Sequence, residues 1–337
     1  MKLARVHGAG DVRLDQVPVP VPGPDDVVVR VEACGICGSD LGYIAGGGLG
    51  GSESLKEPMP LGHELAGVIE AVGKAVTAFR PGDRVAVNPD DRLIGGGGSE
   101  GGMAPYLLVP EPDPDKTLFL LPDSVSTEDA ALAEPLSVAL HGIDLVGITA
   151  HDKVAIIGAG PIGLCAVAML RHRGVRNIAI FDRERTRLDR ALELGAHAAF
   201  NVTEVSIADG LANAHGEGTR FGARYSDTDV FIDAAGAAPA LTEVFATAKY
   251  RARIAMIAIY KKPVAIDLFK LMANEIMMTG SIADSRAREF GEALDMIAAR
   301  KFDLSPMISH RYQLDELHAA LAMAADSAES AKVMLRF

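Results

Sequence analysis

The hexapeptide Gly158-Ala-Gly-Pro-Ile-Gly163 constrains this chain more than any other feature. It follows directly on a strand-like apolar run, Lys153–Gly158, and opens a helical pattern, Gly163–His172. In that setting G-x-G-x-x-G marks the first turn of a dinucleotide-binding βαβ unit. Gly158 permits the tight turn, Gly160 lets the backbone approach a pyrophosphate, and Gly163 lets helix and strand pack closely. Pro161 and Ile162 complete the motif. The helix N-terminus then offers free N–H groups and a partial positive charge to the phosphates. Asp182 ends the next strand-like run, 182 − 163 = 19 residues past the last glycine. That is close to the ~20 expected of a carboxylate that accepts the ribose hydroxyls. Such a carboxylate repels a 2′-phosphate, so NAD is expected over NADP, although the neighbouring Arg183 softens the preference. A glycine turn that binds nothing remains the plain alternative.

From about residue 144 onward, strands alternate with helical patterns, the signal for a parallel sheet. Candidate strands are Lys153–Gly158, Asn177–Asp182, Ala198–Asn201, Val230–Ala235, Arg253–Ile259 and Ile276–Ser281. They read as nearly continuous apolar runs, as strands covered on both faces do. Thr186–Leu194 reads as a helix closed by Gly195. Residues 1–110 read instead as strands and loops. Val27–Val31 and Ala66–Val72 are β-rich, and the segment marked by Pro18, Pro20, Pro22 and Pro24 cannot be a central strand. The glycine-rich stretches Gly46–Gly51 and Gly95–Gly102 read as loops, as does Ile44–Lys56. Two amphipathic helices, Arg286–Arg300 and Asp315–Ala325, and a strand, Lys332–Phe337, close the chain. The expected fold is α/β. A doubly wound parallel sheet spans 144–282, and a partly barrel-shaped β domain spans 1–143, completed by 283–337.

The chain has 337 residues, a formal net charge of −12 and a pI near 5.2. Lys and Arg are scattered without a basic cluster, so neither nucleic acid nor an anionic membrane surface is an expected partner. The charge-free run Val154–Leu170 falls short of the ~20 residues that span a bilayer, and its glycines interrupt it. The N-terminus lacks the apolar stretch of a signal peptide. Three cysteines are too few for a disulfide framework, which suggests a reducing, cytoplasmic setting.

A second cluster of chemistry lies in the N-terminal part: Cys34-Gly-Ile-Cys37-Gly-Ser39-Asp40, then Gly62-His63-Glu64, then Glu134-Pro135. Cys, His and carboxylate are the ligand types of a catalytic zinc with one position open. Cys34-x-x-Cys37 alone also fits a redox pair or half of a structural zinc site. No second C-x-x-C exists to complete such a site, and the βαβ setting of a redox pair is missing here. His63 alone fits a satisfied core histidine. Neighbours on a strand point to opposite faces, so His63 and Glu64 share an ion only if the backbone bends, which Gly62 permits. Otherwise Glu64 stands behind the ligands. Glu134 is odd in a helix interior unless paired.

Together these residues resemble the medium-chain, zinc-containing alcohol dehydrogenase superfamily. CGICGSD at 34–40, GHELAGVIEAVG at 62–73, GDRV at 82–85, AEPLSVALHG at 133–142 and GAGPIG at 158–163 follow its order and spacing. Glu134-Pro135 resembles the polyol branch, whose neighbours include butanediol and threonine dehydrogenases. The resemblance implies a Rossmann domain and a GroES-like catalytic domain. It implies an NAD-linked oxidoreductase of secondary alcohols with one catalytic zinc, a small-molecule substrate and a homodimer or homotetramer.

By the same resemblance Cys37, His63 and Glu64 are zinc ligands, and Glu134 approaches the metal directly or through water. Ser39 relays the alcohol proton, Asp40 orients a ligand, Tyr43 faces the substrate and Arg187 lies near the adenosine. The family's four structural-zinc cysteines have no counterpart in 88–102, so no structural zinc is expected. Gly42 stands where the family's relay histidine does, and Ala283-Asp284 where polyol members carry an arginine and an aromatic. The alternatives are a zinc-dependent dehydrogenase of threonine or a butanediol-type alcohol, a zinc-free quinone or enone reductase of the same superfamily, and an NAD-binding protein without catalysis.

Overall fold

The computed structural model describes residues 1–51, 53, 55–282 and 286–337. It contains two compact units, Met1–Ser137 with Asp284–Lys301 and Ile308–Phe337, and Val138–Ala283 with Phe302–Met307.

In the second unit six parallel strands lie in the order Ala198–Asn201, Asn177–Asp182, Lys153–Ile157, Val230–Asp233, Arg253–Met256, Met277–Gly280. The order reverses beside Lys153–Ile157, the doubly wound pattern in which ligands bind at the strands' carboxyl ends. The central strands are buried, with Phe181, Phe231 and Ile254 in one apolar cluster. The two edge strands differ from the expectation of burial on both faces. Ala198–Asn201 is half-buried and Met277–Gly280 largely exposed, because an edge has a neighbour on one side only. The helix after the first strand begins at Pro161, two residues before the expected Gly163, since a proline suits the first helical turn. Arg185–Glu193 is helical, and Gly195 beyond it takes φ +104°.

In the first unit, Val27–Ile36 is the central strand of a seven-stranded sheet. It pairs antiparallel with Glu64–Val72 on one side, and with Lys332–Arg336 and Tyr106–Val109 on the other. The C-terminal strand therefore does return to the N-terminal part. The apolar core includes Val29, Val31, Leu65, Val85, Leu107 and Leu335.

A helix, Gly38–Gly46, lies in a region read from the sequence as strands and loops, and the expected loop Ile44–Lys56 starts inside it. Glycines at both ends masked it. Its start is fixed locally: the Asp40 carboxylate accepts the Cys37 backbone N–H at 2.8 Å. Gly47 closes it in the left-handed conformation, φ +79°.

Candidate active site

Three elements of the first unit converge on one group. Cys37 ends the approach of the central strand, His63 and Glu64 open the neighbouring strand, and Ser39, Asp40 and Tyr43 lie on the short helix. A ligand atom each of Cys37, His63 and Glu64 lies within 4.8 Å of the others. The bend that lets adjacent residues share one point is at Gly62, φ +94°. A Cβ there would sit 2.5 Å from the Met103 nitrogen and 2.9 Å from the Cys34 sulfur, so this position excludes a side chain twice over. Gly35 is paired with Glu64 across the sheet, and its missing Cβ leaves the room that the Glu64 carboxylate occupies.

The polar contacts are ordered around His63. Its Nε2 meets Ser39 Oγ at 3.2 Å, and its Nδ1 faces Asp40 Oδ1 at 3.5 Å. Burial disfavours the imidazolium, yet Asp40 and the Cys37 thiol raise the His63 pKa well above the usual value. Tyr43 is half-buried, and burial raises its phenol. Cys34 is fully buried, and desolvation pushes its thiol well up, so it stays protonated, while Cys37 is only half-buried.

Glu64 has a partner that the sequence did not announce. Lys332 Nζ donates to Glu64 Oε1 at 2.6 Å and to the Ile36 carbonyl at 3.1 Å. Burial still raises the Glu64 pKa, with Lys332 opposing it. Glu64 Oε2 is buried with no hydrogen-bond partner, as is Asp40 Oδ1. A buried carboxylate oxygen left bare beside a thiol and an imidazole is what a divalent cation would satisfy. The residues therefore fit a zinc ion.

Glu134 lies near enough to raise the Glu64 pKa, but it does not belong to the compact donor group. Its partner is Arg286: Nη2 donates to Glu134 Oε1 at 2.9 Å. This pairing accounts for a buried acid in the first turn of the helix Ala133–Leu145. Sequence reasoning gave neither Arg286 nor Lys332 a role in the site, since only burial distinguishes them from ordinary surface cations. Ala283-Asp284, where an arginine and an aromatic were considered, lies outside the described residues.

In the second unit Gly158 takes φ +99°, and a Cβ on Gly163 would collide with the Gly158 carbonyl. Gly160 caps the helix opened by Pro161 and Ile162, and a Cβ on it would lie 3.5 Å from Arg187 Nη1. Asp182 is at the strand's carboxyl end. It accepts the N–H of Ala159 at 2.7 Å, of Arg183 at 2.7 Å and of Glu184 at 3.0 Å. The motif, its acid and Arg187 thus meet at one turn.

Two family models match the chain: the alcohol dehydrogenase GroES-like domain over residues 23–123 and the zinc-binding dehydrogenase over 161–299. Sorbitol dehydrogenase 2 of Saccharomyces cerevisiae is 30% identical over 327 residues, 91% of this chain and 89% of that protein. Human sorbitol dehydrogenase is 29% identical over 326 residues, 92% of this chain and 89% of that one. A zinc-binding dehydrogenase from Sinorhizobium meliloti, solved bound to NADP, superposes with a TM-score of 0.86 at 29% identity, covering 100% of this chain and 99% of that one. The chain belongs to the medium-chain, zinc-containing alcohol dehydrogenase superfamily, in its polyol branch.

Proposed function

We propose that the protein oxidises a secondary alcohol of the polyol class to the ketone with NAD, and runs the reverse reduction. The observation that carries this reading is the Cys37–His63–Glu64 donor group with Ser39 hydrogen-bonded to His63. Its nearest rival in the superfamily, a zinc-free reductase, has no use for such a group.

In this reading Cys37, His63 and Glu64 hold one zinc, and Glu134 stands beside it. Zinc held there would supply a Lewis acid that makes an alcohol hydroxyl more acidic, and a bound nicotinamide would supply the hydride acceptor. Ser39 Oγ accepts the alcohol proton. Gly42 offers no imidazole, so the proton leaves from Ser39 to water. Asp40, buried against His63, fixes the ring so that Nε2 faces Ser39. Tyr43 lines the substrate side. Gly158, Gly160 and Gly163 bring the backbone against the pyrophosphate at the helix N-terminus, with Pro161 and Ile162 in its first turn. Arg187 lies toward the adenosine.

Asp182 accepts the ribose hydroxyls and disfavours a 2′-phosphate; the NADP in the Sinorhizobium meliloti relative makes cofactor choice the point to test. The chain works as a homo-oligomer, since among the described residues Met277–Gly280 is the last strand of its sheet and carries exposed Met277 and Met278. It works in the cytoplasm, which suits a chain with three cysteines, too few for a disulfide framework. No described helix is long and apolar enough to cross a membrane.

The test is a panel of polyols, sugar acids, butanediol and threonine, assayed with NAD and NADP in parallel. Reduction of NAD by one polyol, with NADP much slower, is the expected result. Activity confined to threonine or to enones contradicts the polyol reading.

A further inference from the structure

We propose that Arg286 is a positioning residue of the metal centre: it grips Glu134 and Asp90 at once and so fixes Glu134, a carboxylate that flanks the donor group without belonging to it. The proposal rests on the metal reading above and goes beyond it by naming the group that sets Glu134.

Arg286 is 4% exposed. Its Nη2 donates to Asp90 Oδ1 at 2.6 Å and to Glu134 Oε1 at 2.9 Å, and its Nε donates to Asp90 Oδ2 at 3.0 Å. Nη1 reaches Ser137 Oγ at 3.1 Å and the Glu134 carbonyl at 3.4 Å. The Arg286 backbone N–H also meets Asp90 Oδ2, at 2.9 Å. A planar fork with two acids and a hydroxyl in fixed directions is an arginine-specific arrangement that lysine cannot reproduce.

Two consequences follow. Glu134 has one oxygen committed to Arg286, so its carboxylate cannot rotate freely, and only its other oxygen is at the disposal of a metal or its water. Asp90 lies in 88–102, the lobe without cysteines, where the bidentate pair ties the chain to the core as a metal clip would. Charge supports the arrangement. Arg286 pairs with Glu134 at 2.9 Å and Lys332 pairs with Glu64 at 2.6 Å, so each of the two buried acids has its own cation.

The test uses the full-length protein loaded with zinc and, separately, with Co(II), whose visible absorption reports ligand geometry without turnover. Arg286→Lys keeps the charge and loses the fork. It should lower kcat by about tenfold or more, as outer partners of metal sites do, with the KM for NAD unchanged and a shifted cobalt spectrum. Glu134→Gln should shift the spectrum similarly, and adding Arg286→Lys to it should change kcat by less than about twofold. An unchanged cobalt spectrum and kcat in Arg286→Lys, or effects that multiply in the double variant, would overturn the proposal. Should Arg286→Lys not fold, Asp90→Asn replaces it, and an unchanged cobalt spectrum there overturns it equally. A wild-type protein that takes up neither metal overturns the metal reading as well, and the two failures are told apart because this one is seen without any substitution.

Discussion

Lys332 and Glu64 form an ion pair 2.6 Å long between side chains only 3% and 1% exposed. The lysine sits at the start of the C-terminal strand, and the acid is a member of the candidate metal group. Removing one partner of a buried pair leaves the other charge uncompensated, which costs about 3–5 kcal/mol. Lys332→Met should therefore lower the melting temperature of the metal-free protein markedly. Zinc on Glu64 supplies a second positive charge, so the loss should be smaller in the zinc-loaded protein. Differential scanning calorimetry of both forms checks this, and an equal loss with and without zinc would count against Glu64 as a ligand.

Gly62 is the hinge of the donor group. Gly62→Ala places a methyl against Met103 and Cys34 in a backbone conformation of φ +94°. The backbone alone costs about 1–3 kcal/mol, and relief of the clash moves His63 away from Cys37. Zinc content measured by atomic absorption should fall well below one per chain while the second unit still binds dinucleotide. Full zinc occupancy in this variant would contradict the geometry.

Cofactor preference turns on one carboxylate. Asp182→Asn removes the charge but keeps an acceptor for the Arg183 and Glu184 N–H groups. The ratio of kcat/KM for NAD over NADP should drop by about tenfold, equivalent to ~1.4 kcal/mol of discrimination. An unchanged ratio would move the discrimination elsewhere, with Arg183 the first place to look.

How much of this was legible in the sequence follows from what each feature depends on. The turn at Gly158–Gly163 and its acid Asp182 are local: spacing and glycine chemistry define them, and the structure joins them through the Ala159 N–H. The donor group was legible as residue types, and the bend at Gly62 as a possibility. Arg286 and Lys332 were not legible, because each acquires its meaning from a partner far along the chain, Glu134 and Glu64 respectively. The helix Gly38–Gly46 was missed because its glycines look like a loop, while its stability comes from the Asp40 cap and from packing rather than propensity.

His215 gives the second unit a pH dependence. It is buried, bonded through Nδ1 to Thr228 Oγ1 at 2.8 Å, and its Nε2 has no partner. Burial first, then His197 and Lys153, lower its pKa from 6.5 to about 4. The unfolded chain thus binds the proton more readily than the folded one, and stability falls as pH drops from about 6.5 through 4. The shift corresponds to about 3 kcal/mol at full development. His215→Gln should lose less stability than wild type between pH 7 and pH 4.5 in chemical unfolding. Parallel losses in both proteins would assign the acid sensitivity to other groups.

The central claim, that Cys37, His63 and Glu64 hold a zinc required for alcohol oxidation, is tested most directly by NAD reduction with the alcohol that the panel selects, before and after chelation. The account predicts one zinc per chain, activity abolished on its removal, and activity restored by one equivalent of zinc in wild type but not in Cys37→Ser. Undiminished activity in metal-free protein, or in Cys37→Ser, would contradict it.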